Sequence, residues 1–312
     1  MLRSLMTALY SKAWLLLTLT ALFWAGNFVI GRGVHELVPP IALAWCRWAL
    51  ATAIVMPFAL PHVRRDWPEI RRGLPELLFL GTIGVASFNT LSYLGLNHTT
   101  ALNALVLQSS GPVLIALTCF MLFRDPLGPR QILGIAISLT GVLSVILNSH
   151  PEALTELRFN RGDLLVFLAL VFWGFYTACL RYRPKIHWLS FIATTFAIGT
   201  LVITPLFIWE QTAYRQISFD PPTLASILYV AIFPSILAYI FFNRGVERVG
   251  GATAGIFLQM VPVFGSGMAI VFLGEQVQLY HVIGFTLVIL GVTLATRGAR
   301  RIGMRSAGMR RD

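Results

Sequence analysis

Apolar residues in this chain come in runs too long for a soluble core, interrupted by short polar stretches. A helix that crosses a bilayer needs roughly 20 mainly apolar residues, because 1.5 Å of rise per residue must cover a hydrocarbon layer about 30 Å thick. Ten stretches fit: Ala13 to Ile30, Ile41 to Leu60, Leu74 to Leu94, Ala101 to Phe123, Ile132 to Leu147, Gly162 to Leu180, Trp188 to Trp209, Thr223 to Phe242, Ala252 to Leu273 and Val282 to Thr296. The longest connector, Asn148 to Arg161, is too short to bury a core of its own. The pattern predicts an all-α integral membrane protein with ten transmembrane helices.

Composition agrees with that pattern. Of 312 residues, 56% are apolar and 12% charged, with a mean hydropathy of +0.74. Soluble proteins average about 25% charged residues, so an ordinary globular enzyme is excluded. The net charge of +11 would suit nucleic acid, but its distribution points to topology instead. With the N-terminus placed in the cytoplasm, nineteen Lys and Arg fall on the cytoplasmic side, six of them in the tail from Arg297 to Arg311. Four, Arg32, Arg158, Arg161 and Arg215, fall outside, and Arg47 lies within a span. That is the positive-inside bias of a multi-pass cytoplasmic-membrane protein with both ends in the cytoplasm. The partners expected are the lipid bilayer and a small-molecule substrate, with no nucleic acid, and the chain is expected to be a monomer or weak dimer.

The first apolar run is eighteen residues long without a small-residue cleavage pattern, which predicts a retained helix and not a cleaved signal. Cys46, Cys119 and Cys179 lie in three different spans and read as packing residues. The six His residues show no ligand spacing and there is no Gly-rich phosphate loop, so no metal or cofactor is expected.

The chain also repeats itself. A shift of 150 lays Gly95 on Gly245, Ala104 on Ala254, Pro112 on Pro262, Gly134 on Gly284 and Gly141 on Gly291. A shift of 149 lays Trp24 on Trp173. Matched Gly and Pro carry the comparison, since they fix backbone geometry that a random apolar helix does not need. The units are residues 13–147 and 162–296, followed by a basic tail, 297–312. Five helices per unit is odd, so the second copy must enter the membrane from the opposite side. Two inverted five-helix repeats around a central cavity are the architecture of many secondary transporters, with the substrate between the repeats near the midplane.

Trp24-Ala25-Gly26-Asn27-Phe28, Arg47 with Ala51, Gln108-Ser109-Ser110-Gly111-Pro112 and Arg124-Asp125-Pro126 resemble the EamA domain of the drug/metabolite transporter superfamily. Trp173-Gly174-Phe175-Tyr176, Gln259-Met260-Val261-Pro262 and Leu273-Gly274-Glu275 resemble its second copy. The resemblance implies a ten-helix exporter or exchanger of small metabolites in the bacterial cytoplasmic membrane, and the aromatic-rich spans are similar to those of amino-acid exporters.

Candidate site residues follow from side chains that lipid would not tolerate. Pro112 and Pro262 each free a carbonyl within a span, as hinges lining the cavity or as packing kinks. Gln108 and Gln259, one turn earlier, face the interior, toward substrate or a neighbouring helix. Trp24, Asn27 and Phe28 share one helical face, as do Trp173 and Tyr176, and Tyr93, Asn89, Tyr239 and Asn243 could complete an aromatic and amide wall. Arg47 is either a contact for a substrate carboxylate or a side chain snorkelling outward, toward Glu36. Asp125 and Glu275, paired by the repeat, are helix-end or gate residues, and with no acid mid-membrane a proton relay is poorly supplied. The sequence therefore predicts a secondary transporter of small metabolites, foremost amino acids, exporting or exchanging by alternating access. Alternatives are an uncoupled channel or facilitator for neutral solutes and an integral-membrane enzyme, for which no catalytic group is visible.

Overall fold

A computed structural model of the chain describes residues 13–124, 128–146, 160–249, 257–258 and 260–308, and among them there are helices and no strands. In chain order these are α1 (Ala13–Gly33), α2 (Pro40–Arg65), α3 (Leu74–Leu96), the two halves of a bent span, α4a (Ala101–Gln108) and α4b (Gly111–Phe123), then α5 (Pro129–Ile146), α6 (Arg161–Tyr182), α7 (Trp188–Tyr214), α8 (Pro221–Phe242), α9 (Met260–Leu273) and α10 (Leu279–Gly308). Six, α1 to α3 and α6 to α8, are each long and apolar enough to cross a membrane, and the α4 pair, bent by 46°, makes a seventh. The short α9, the apolar part of α10 (Leu279–Leu294) and the 18-residue α5 overlap the three remaining predicted segments, α9 from Met260 onward. Gln259 and Asp125 lie outside the described residues, as does the side chain of Asn243.

Helix starts are set by local chemistry. Thr100, Asn160 and Asp220 cap α4a, α6 and α8 by accepting N–H groups of the first turn. Pro40 opens α2, where a missing N–H does no harm. Side chains such as Phe58, Leu201 and Val271 project outward at 70% exposure or more, which suits contact with lipid tails.

Matched glycines mark one place where the two repeats meet. A Cβ on Gly141 of α5 would stand 2.7 Å from the carbonyl oxygen of Gly284 on α10, and one on Gly291 would stand 2.5 Å from that of Gly134. Only glycine allows backbones this close, and lipid-embedded helices associate through such small-residue contacts. The contact is symmetric, each repeat offering the same two positions.

Two π-helical stretches also obey the repeat. Gly81–Ser87 interrupts α3 and Ile232–Leu237 interrupts α8, at positions about 150 apart. In α8 the cause is Pro234, which cannot donate to the Val230 carbonyl; the Ser235 hydroxyl donates to it instead, at 2.8 Å. In α3 the stretch contains Gly84, where a Cβ would lie 2.2 Å from the Tyr176 ring. Such bulges re-aim the side chains that follow them.

Candidate functional site

The central feature is Arg47, two turns into α2 and only 3% exposed. Its Nε donates to Ser235 Oγ at 2.7 Å, and its Nη1 donates to Asn27 Oδ1, Asn89 Oδ1 and Tyr93 Oη at 2.7, 2.8 and 2.9 Å. The guanidinium carbon also lies 4.6 Å from the centre of the Trp48 ring, a cation–π contact. The side chain therefore turns into the bundle and not out toward Glu36. Its partners come from α1, α3 and α8, so one residue binds three other helices. Ser235 is held in the α8 π stretch and Asn89 follows the α3 one, where its Nδ2 donates to Val85 O at 3.1 Å.

All of these partners are neutral. Among the described residues Arg47 has no carboxylate partner, and Nη2 makes no hydrogen bond. A buried cation normally demands a counter-charge, since taking it out of water is costly.

Arg47 lines an inner pocket of about 90 Å³ together with Trp24, Asn27, Gln108, Trp173 and Tyr239. Five residues, Trp24, Ile115, Trp173, Tyr239 and Leu258, also line a wider vestibule of about 620 Å³. The rings form two groups. Trp173 packs on Phe88 and on Tyr176, both with centroids 5.1 Å apart, and Trp24 meets Tyr239 edge-on at 6.1 Å. Trp24 is fixed by its Nε1 donating to the Pro234 carbonyl at 2.9 Å. Gln108 Oε1 is buried without a partner.

The structure thus brings Trp24, Asn27, Arg47, Gln108, Trp173 and Tyr239 to one pocket. Tyr93 stands behind it, holding Asn27 with its hydroxyl at 2.6 Å. Tyr176 belongs to the vestibule and does not line the inner pocket. Pro112 lines the inner pocket, but it kinks no continuous helix: the span is broken at Ser109–Ser110, and Pro112 sits in the first turn of α4b. Pro262 is buried in the first turn of α9 and lines neither cavity. Sequence reasoning passed over Ser235, for which Pro234 was the available signal.

The vestibule opens at the end that carries the termini of α6, α7 and α8 around Leu180, Trp188 and Phe242. At the opposite end, carboxylates tie the two repeats together. Glu210 at the end of α7 accepts the Ile41 and Ala42 N–H groups of α2 at 3.1 and 2.6 Å. Glu275, after α9, accepts those of Ala101 and Leu102 of α4a at 2.8 and 2.9 Å. Each carboxylate from the second repeat therefore seals a helix N-terminus of the first, where the dipole favours negative charge. Asp163 of α6 accepts from Thr99 and from Asn103 Nδ2. Asn103 Oδ1 faces His281 Nε2 at 2.8 Å, while His281 Nδ1 accepts the Gln278 N–H, so Nε2 carries the proton. Sequence reasoning placed Glu275 at a helix end or gate and missed Glu210 and Asp163, because which helix start an acid caps is decided by the tertiary fold.

The sequence signature of the EamA-like transporter family matches the chain twice, over residues 11–147 and 160–297. The chain belongs to this family. Similar curated proteins include the uncharacterized transporter YyaM of Bacillus subtilis (29% identical; 88% of this chain and 90% of that protein covered). An uncharacterized transporter of Archaeoglobus fulgidus is 29% identical over 92% of this chain and 98% of its own length. A probable amino-acid metabolite efflux pump of Salmonella typhimurium is 27% identical over 90% of this chain and 94% of its own length. One crystal structure superposes with a TM-score of 0.61 at 17% identity, covering 94% of this chain and 99% of that one, a likeness of fold. As an EamA-type chain it is a membrane transporter, and the pocket between its two repeats is where a substrate site is sought.

Proposed function

We propose that this transporter carries small carboxylate-bearing metabolites, amino acids and their derivatives, across the cytoplasmic membrane by alternating access, in export or exchange. The observation that carries the reading is the Arg47 guanidinium: buried, held rigidly on two of its nitrogens by four neutral oxygens, with Nη2 unpaired and a cavity beside it. A carboxylate docked on Nη2 would supply the missing charge, and the Trp24, Trp173 and Tyr239 rings would take an apolar body. The name of the Salmonella relative supports the same class.

The vestibule lies at one end, and the Glu210 and Glu275 caps join the repeats at the other, which supports an arrangement open on one side at a time. Arg64, Arg65, Arg71, Arg72, Arg181, Arg183 and Lys185 all lie at or beside the helix termini of the open end. By the positive-inside rule that end faces the cytoplasm, the side from which an exporter loads. Release then requires the Glu210 and Glu275 caps to part while the vestibule closes, with the α4 break and the Pro262 turn as the points of flexure. Binding is by fixed hydrogen bonds and ring contacts, without covalent chemistry.

The test is counterflow in proteoliposomes containing only this protein, with a panel of radiolabelled amino acids and related carboxylates. Saturable counterflow that falls about 10-fold or more in Arg47→Ala and Trp173→Ala supports the reading. Flux without saturation or counterflow would make the protein a channel, and no flux with any carboxylate would remove the proposal.

A further inference from the structure

The charges along the open route all have one sign. Arg47 stands at its inner end, and Arg183 and Arg244 line the vestibule. Among the described residues no Asp or Glu lines either cavity. An amino acid brings an ammonium on the carbon next to its carboxylate, so a carboxylate seated on Arg47 would carry that ammonium to within a few bonds of the guanidinium. The oxygens around the guanidinium, Asn27 Oδ1, Asn89 Oδ1, Tyr93 Oη and Ser235 Oγ, are neutral, and all four already accept from Arg47. Asn27 Oδ1 accepts from Tyr93 as well. What remains among the described residues is neutral: Gln108 Oε1, buried without a partner, and the Tyr239 hydroxyl, both of which suit a hydroxyl or N–H set apart from the carboxylate.

We infer that the cargo is a net anion: a carboxylate with an aromatic or similarly broad apolar body and a neutral hydrogen-bond donor on that body, without a charged amino group beside the carboxylate. This rests on the transporter reading above and narrows it from amino acids in general to their deaminated or N-acylated relatives. The basic vestibule would concentrate such anions at the mouth of the pocket, as single-sign clefts do. Arg47 would discriminate by what its surroundings lack, because a site that holds a fixed cation and offers no carboxylate among the described residues rejects an added ammonium.

Three probes share one indole body and differ only in charge: indole-3-propanoate, L-tryptophan and tryptamine. Isothermal titration of the purified full-length protein at neutral pH is expected to show indole-3-propanoate binding at least about 10-fold tighter than tryptophan, with tryptamine weakest. Gln108→Leu is expected to weaken indole-3-propanoate but leave naphthalene-1-acetate, which has no N–H, unchanged. Because the three-probe comparison uses unmodified protein, it stands even where Arg47→Ala fails to fold. Tryptophan binding as tightly as indole-3-propanoate would overturn the inference, while saturable tryptophan counterflow lost in Arg47→Ala would leave the carboxylate-transporter reading intact. Tighter binding of tryptamine, or binding of none of the three, would overturn the inference too, and counterflow with other carboxylates then judges the transporter reading separately.

Discussion

At the scale of single residues, the site depends on a cation held by neutral groups. Four hydrogen bonds and a ring face orient the Arg47 guanidinium so that it needs no rearrangement to meet an anion, which is where a preorganised site gains over a flexible lysine. A second residue-scale device stands at the open end, outside the spans. The His62 and His187 rings stack with centroids 3.8 Å apart and planes 7° from parallel. His187 Nδ1 accepts the Leu189 N–H, while Asp66 accepts the His187 N–H and the Ser190 hydroxyl at 2.7 and 2.8 Å. Burial first and the facing His62 second hold His187 below its ordinary value of 6.5, with Asp66 opposing and Arg65 adding to the shift. The His187 N–H and the Ser190 hydroxyl hold Asp66 below 3.8. A His with a lowered value binds its proton more readily unfolded, so stability falls as pH drops through and below 6.5. The Asp66 contribution is present above 3.8 and is lost only further down. Thermal unfolding is therefore expected to be lower at pH 5.5 than at pH 7.5, and His187→Asn, which keeps an N-cap acceptor without a titrating ring, is expected to flatten that difference. An undiminished slope in the variant would place the sensitivity elsewhere. Arg47 was legible in the sequence as the charge well inside a span, but its direction was not, because Ser235, Asn89 and Tyr93 reach it from helices that sequence order does not bring together.

At the scale of elements, helices are interrupted beside the pocket, at the α4 break and in the π stretches of α3 and α8. The break in α4 at Ser109–Ser110 is stabilised locally: Ser110 Oγ donates to Leu107 O at 2.7 Å and Ser109 Oγ to Leu105 O at 3.2 Å. Serines there let the span bend without leaving bare carbonyls in lipid. The motif was visible in the sequence, yet it read as a proline kink, since which side of the proline the helix breaks on depends on these hydroxyls. The carboxylate caps at the end opposite the vestibule are the counterpart. Glu275→Gln keeps the shape but removes the charge from the start of α4a, a change of about 1 kcal/mol at a helix N-terminus, enough to shift an opening equilibrium about 5-fold. The variant is expected to raise exchange of the Ala101 and Leu102 amide hydrogens with solvent, measured by mass spectrometry, without lowering exchange protection in α5 and α10. Unchanged exchange at α4a would show that Glu275 does not hold the seal.

At the scale of the molecule, the duplication governs shape and, on the proposed reading, action. The matched glycines of α5 and α10 were readable as aligned positions, and they turn out to face each other across the two repeats. The matched π stretches of α3 and α8 were invisible to periodicity, because a single bulge does not disturb an apolar run. On the proposed alternating-access reading, two copies of one bundle in opposite orientation would exchange conformations, and the state joined by Glu210 and Glu275 would have a counterpart open at that end. The central claim is that one pocket serves both sides in turn. It is tested most directly with Phe88→Cys, which places a thiol on the inner pocket, in a background where Cys46, Cys119 and Cys179 are serine. A membrane-impermeant maleimide is then applied to either face of oriented membranes, with and without cargo on the opposite side. The account predicts labelling from the cytoplasmic face alone without cargo, and labelling from the outer face, with loss from the inner, when cargo drives the other state. Labelling from both faces at once, or never from the outer face under any condition, would contradict it.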